Sequence, residues 1–92
     1  MGKYDRLTLW LERQPGDRIE VTFEDIEDEE KIGVQLPKSA KEHREWWANE
    51  VNPKTRHFQC RAWTEAGWQV ETADLAREVV VFVRTRVSEG QR

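Results

Sequence analysis

A single cysteine, Cys60, cannot form an internal disulfide, so the chain is expected in a reducing, cytoplasmic compartment. Its longest apolar run is Val79–Val83, far short of the roughly 20 residues that a membrane-spanning helix needs. No apolar stretch follows Met1-Gly-Lys-Tyr-Asp5, which argues against a secretory leader. The chain holds only three prolines and five glycines, and no glycine-rich phosphate loop appears among them. Ser39 and Cys60 have no neighbouring pattern that would activate a nucleophile. His43, His57 and Cys60 match no zinc-ligand spacing, and one thiol is too few for the usual structural sites. These gaps point away from an enzyme and from a metal or organic cofactor.

What is plentiful is tryptophan and charge. Trp10, Trp46, Trp47, Trp63 and Trp68 are five in 92 residues. Such rings supply core area to a chain short enough to bury only about 60–65% of its unfolded surface. The net charge of −3 hides a segregation. Asp17–Glu30 carries eight acids against Arg18 alone, whereas Lys38–Arg61 carries six bases against three acids. The acidic stretch suits a basic protein partner, and the basic one suits a polyanion.

Periodicity outlines the elements. Tyr4, Leu7, Trp10 and Leu11 form one apolar stripe, predicting a helix over Tyr4–Gln14 that stops at Pro15-Gly16-Asp17. Ile19, Val21 and Phe23 alternate with polar residues as in a half-buried strand. Thr22-Phe-Glu-Asp25 reads as a variant capping box for a short acidic helix with Ile26 inward and Gly33 beyond its end. Ser39 and Glu42 form a second capping box, predicting one helix from Ser39 to Asn49. Val51-Asn-Pro53 breaks the chain. A further helix is expected over Thr55–Ala66, with Phe58, Ala62, Trp63 and Ala66 on its apolar side and Gly67 as its left-handed terminator. Trp68–Glu71 and Glu78–Arg86 read as an antiparallel hairpin turning at Ala73–Arg77. The second of these strands offers an exposed edge, partly protected by Arg84 and Arg86, so a monomer and a homodimer paired through that edge both stay open.

The resulting expectation is an α+β fold: a small single domain over residues 1–87, with three to four helices and a C-terminal antiparallel β-hairpin. Residues 88–92 are expected as a flexible tail. The order of elements is winged-helix-like, an arrangement in which the helix before the hairpin enters a DNA major groove.

Candidate contact residues concentrate between Lys38 and Arg61. Lys38, Lys41, Arg44, Lys54, Arg56 and Arg61 suit phosphates, while Asn49 and Gln59 suit adenine edges. His43 and His57 add hydrogen-bonding groups. Trp46 and Trp47 lie about 100° apart around a helix, so one ring is expected in the core and the other near the surface, where it can stack on a base. The alternative reading of the same residues is structural, with both rings packed and the charges merely solvated.

Several blocks together resemble a small prokaryotic and phage domain of unknown function. They are Lys3-Tyr-Asp-Arg-Leu-Thr8, Thr22-Phe-Glu-Asp-Ile26, Leu36-Pro-Lys-Ser-Ala40, His43 with Trp46-Trp47-Ala-Asn49, and Ala62-Trp63 with Ala66-Gly-Trp68. The likeness runs from Lys3 to about Arg84, with Arg6 where the pattern has proline and a somewhat longer Glu27–Lys31. It implies a stand-alone fold in a prokaryotic, archaeal or phage cytosol, and supplies no activity. Ser39, His43, Trp46, Trp47, Asn49, His57, Gln59, Trp63 and Trp68 match its pattern, as a binding surface or a buried hydrogen-bond network would require. Two functions follow as expectations: non-enzymatic binding of nucleic acid, most simply DNA, by the basic face, or protein interaction through the acidic segment 20–30.

Overall fold

The computed structural model describes residues 4–49 and 59–85. Helix α1 (Asp5–Glu12) leads into strand β1 (Arg18–Thr22) and helix α2 (Phe23–Glu27). Helix α3 (Lys38–Glu42), a 3₁₀ turn (Arg44–Trp47) and helix α4 (Arg61–Thr64) follow, and strands β2 (Trp68–Asp74) and β3 (Val79–Arg84) close the order. The expected helix over Thr55–Ala66 is described only at its C-terminal end, and the expected tail lies outside the described residues. None of the described helices is long and apolar enough to cross a membrane.

The three strands form one antiparallel sheet in the order β1-β3-β2. The hairpin is therefore as expected, but β3 is its central strand, not an edge. The correction has a simple cause. Val79–Val83 is the most apolar stretch in the chain, and β1 pairs with it from Arg18↔Val83 to Thr22↔Val79, burying what would otherwise face water. The edges are β1 and β2, so dimerisation through β3 has no free strand to use. A register shift between Val70 and Thr72 bulges β2 at Glu71. Glu71 then pairs with Arg18 at 3.0 Å, linking the two outer strands.

Local chemistry sets the remaining ends. Thr22 caps α2, its hydroxyl accepting from the Asp25 N–H at 3.0 Å. Gly33 and Gly67 adopt φ of +83° and +87°, values a side chain resists. Leu7 and Leu11 of α1, Phe23 and Ile26 of α2, Val21, Val80 and Phe82 of the sheet, and Trp63 and Trp68 make one core. The Thr8 hydroxyl donates to Ala62 O at 2.8 Å and ties α1 to α4. Arg84 lies 4.3 Å above the Trp68 ring and donates to Gln14 O and Gly16 O, fastening the turn after α1 to the sheet.

The helix expected from Ser39 to Asn49 is broken. Pro37 provides the N-cap conformation (φ −72°, ψ 165°), so α3 begins at Lys38 and the Ser39 hydroxyl makes no capping bond. At His43 the backbone turns extended (φ −127°, ψ 117°) before the 3₁₀ turn. Adjacent indoles explain the break. On a continuous helix Trp46 and Trp47 diverge by about 100°, and only one reaches the core centre. Leaving the helix buries Trp47 to 2% exposure while Trp46 packs on its edge, ring centroids 4.7 Å apart. The Trp47 Nε1–H donates to Ala40 O at 2.9 Å, filling the acceptor that the next helical turn would have used.

Cys60 is 1% exposed, and burial pushes its thiol up from its ordinary range. The folded protein is expected to leave Cys60 unmodified by a thiol-reactive dye at neutral pH. Addition of denaturant is expected to release a single fast-reacting thiol.

Candidate nucleic-acid interface

The residues singled out between Lys38 and Arg61 divide into those the fold consumes and those it leaves over. Asn49 belongs to the first group. Its Oδ1 accepts from the Val70 N–H at 2.7 Å and from Trp63 Nε1–H at 3.0 Å, and its Nδ2 donates to Val70 O at 2.9 Å. Asn49 thus gives edge strand β2 the two backbone partners that a further strand would supply, and satisfies a buried indole as well. An amide with both ends committed in this way is not free to read adenine.

Trp47 is likewise structural. It stacks between Phe23 (5.5 Å, 18°) and Trp63 (5.7 Å, 21°), a column that Phe82 extends at 5.8 Å. Trp46 is half-buried, edge-on to Tyr4 at 5.7 Å, as expected of the outer ring of the pair. Burial also pushes the Tyr4 hydroxyl above its ordinary range.

The basic residues are spread unevenly. Lys41 is drawn to Glu27 at 3.2 Å, whose carboxylate also accepts from the Leu36 N–H at 3.0 Å. Lys38 sits 3.9 Å from Glu42 and is otherwise solvated. Arg61 is exposed on α4. Lys54, Arg56 and His57 lie outside the described residues. Arg44 is exposed and has no hydrogen bond or ion pair among the described residues. Its side chain lines a groove of about 500 Å³ shared with Thr72, Ala73, Asp74 and Leu75 of the hairpin. Asp74 is itself engaged, accepting from the Arg77 N–H at 3.1 Å.

A second cleft, of about 400 Å³, opens on the other side of the turn. Ser39, His43, Glu45, Trp46 and Gln59 line it. The two clefts follow from the 3₁₀ geometry, in which side chains three apart eclipse. Arg44 therefore accompanies Trp47 on one side, while His43, the extended residue before the turn, lines the other cleft with Trp46. Glu45 was not among the residues expected to make contact, because a continuous helix hides this pairing. Among the described residues no group of His, Cys, Asp and Glu is placed to hold a metal ion.

The acidic segment is mostly spoken for. Asp25 pairs with Lys31 at 2.9 Å, Glu29 with Arg6 at 2.9 Å, and Asp28 accepts from the Glu30 N–H at 2.9 Å. The hydrogen bond from Lys31 holds the Asp25 carboxyl below its ordinary range, and the same bond raises Lys31.

Taken together, these features define a small α+β domain with a tryptophan column at its centre and two polar clefts beside a 3₁₀ turn. The chain belongs to the family described as Domain of unknown function (DUF7662), which matches residues 4–85. Neither a curated protein nor a solved structure matches the chain.

Two stability measurements test these assignments. Asn49→Ala leaves Trp63 Nε1–H and two Val70 backbone groups without partners, so urea denaturation is expected to show a loss of about 2 kcal/mol. Asn49→Asp keeps both acceptances and should lose clearly less. The Asp25–Lys31 pair stabilises the fold above the ordinary aspartate range and below the ordinary lysine range. That contribution is lost as pH falls through the lowered Asp25 value, so the acid limb of a stability–pH curve should flatten in Asp25→Asn.

Proposed function

We propose that this chain is a non-enzymatic nucleic-acid-binding domain, most simply for DNA, with a winged-helix-like build. The observation that carries the reading is Arg44. Its guanidinium is exposed, unpaired among the described residues, and set in a groove between the 3₁₀ turn and the hairpin. Guanidinium is the side-chain group best suited to bidentate contact with a phosphate, and a duplex backbone fits an open groove of this kind. Lys38 and Arg61 are exposed as well, and the sequence between Lys38 and Arg61 also carries Lys54 and Arg56.

Topology supports the same reading by analogy. A helix followed by an antiparallel hairpin, with β1 paired to the last strand, is the order in which a winged helix presents a helix and a wing to duplex DNA. The acidic segment keeps the second reading, protein interaction, in play. Asp25, Glu27 and Glu29 are paired with Lys31, Lys41 and Arg6, which leaves Glu20, Glu24 and Glu30 as the exposed carboxylates of residues 20–30 for a protein partner.

Titration of tryptophan emission with short duplexes and single strands tests this at low and at physiological salt. Saturable quenching that weakens steeply with salt is the expected result. Arg44→Ala should weaken binding across all sequences and lower the slope against log salt by about one. A folded protein whose Arg44→Ala variant binds with unchanged affinity and slope refutes this face.

A further inference from the structure

The cleft on the opposite side of the 3₁₀ turn holds polar groups that the fold does not use. The Ser39 hydroxyl, the His43 imidazole and the Glu45 carboxylate are exposed and make no hydrogen bond or ion pair among the described residues. Gln59 donates through Nε2 to Trp46 O at 3.1 Å, which fixes the amide and leaves Oε1 free to accept. Trp46 contributes a half-buried ring, held at its other contacts by Tyr4, Trp47 and Trp63 with centroids 5.7, 4.7 and 6.2 Å away. A fixed aromatic surface beside uncommitted polar groups, in about 400 Å³, is the setting in which a flat heterocycle is held by stacking and by its edge.

The balance of those groups selects among heterocycles. Both Glu45 oxygens only accept, Gln59 keeps its oxygen and one N–H, and Ser39 can do either. The groups left to donate are His43, Ser39 and the second Gln59 N–H, fewer than the acceptors. A surplus of acceptors favours a base edge that carries an amino group, cytosine N4 or adenine N6, over thymine or uracil, which present a carbonyl oxygen there. The carboxylate also excludes a phosphate from this side of the turn. Arg44 on the other side takes the backbone, and His43 and Glu45, its two chain neighbours, face the base.

We propose that the Ser39–His43–Glu45–Trp46–Gln59 cleft receives one unstacked nucleobase bearing an exocyclic amino group from a single-stranded segment of the bound nucleic acid. The assignment rests on the nucleic-acid reading and adds selectivity to it. Fluorescence anisotropy of labelled single strands of oligo-dC, oligo-dA and oligo-dT tests it with the full chain. The wild-type protein should bind oligo-dC and oligo-dA about tenfold more tightly than oligo-dT. Ser39→Ala combined with Glu45→Ala, whose side chains support no described contact, should erase most of that preference while the variant still binds all three strands. Equal affinity for all three strands, with salt-dependent binding intact, overturns the cleft and leaves the Arg44 face standing. A preference that survives in the double variant also overturns it. Absence of binding to every single strand overturns the cleft, and the Arg44 face then falls only if the folded protein also fails to bind a duplex.

Discussion

Every indole N–H buried in this core has to find an acceptor, and the arrangement of the chain follows from that requirement. The described buried residues are all apolar, so side-chain acceptors are scarce inside. Trp47 reaches Ala40 O, Trp68 reaches Leu11 O at 3.0 Å, and Trp63 reaches the Asn49 amide. An indole left unpaired costs about 1–3 kcal/mol, a large fraction of what so small a domain has to lose. Each of these three bonds joins separate parts of the fold. The first ends α3, the second pins α1 against β2, and the third couples α4 to the edge of the sheet through Asn49.

The pair of clefts is a by-product of the same constraint. Because Trp47 turns inward at the expense of the helix, the turn that carries it becomes 3₁₀, and its side chains sort into two sides three residues apart. Arg44 and the pair His43–Trp46 then point into different clefts. Polar groups that matched one sequence pattern accordingly separate by chemistry. Asn49 is bound into the scaffold at both ends of its amide, whereas His43 and Ser39 retain their hydrogen-bonding capacity in the open.

Elements with one dominant local signal were legible in the sequence. The stripe of Leu7 and Leu11, the Thr22 cap, the Gly67 terminator and the final hairpin all lie where short-range patterns put them. The break at His43 was not legible, because Ser39 and Glu42 mimic a capping box and the competing force is long-range packing of Trp47 on Phe23 and Trp63. The central position of β3 depends on pairing with a strand some sixty residues earlier, which no local window contains. Of the candidate contact residues, Arg44 and His43 emerge in the clefts, but the commitment of Asn49 and the presence of Glu45 are visible only in three dimensions.

The placement of β3 also bears on how the chain survives its own synthesis. Val79-Val-Val-Phe-Val83 is short, strongly β-forming and uncharged, the kind of segment that stacks into fibrils when its edges are free. In the native sheet β1 and β2 cover both of those edges. The hairpin partner emerges just before β3, but the other cover was made long before and must still be available. Damage confined to β1 therefore threatens solubility by uncovering one edge of β3.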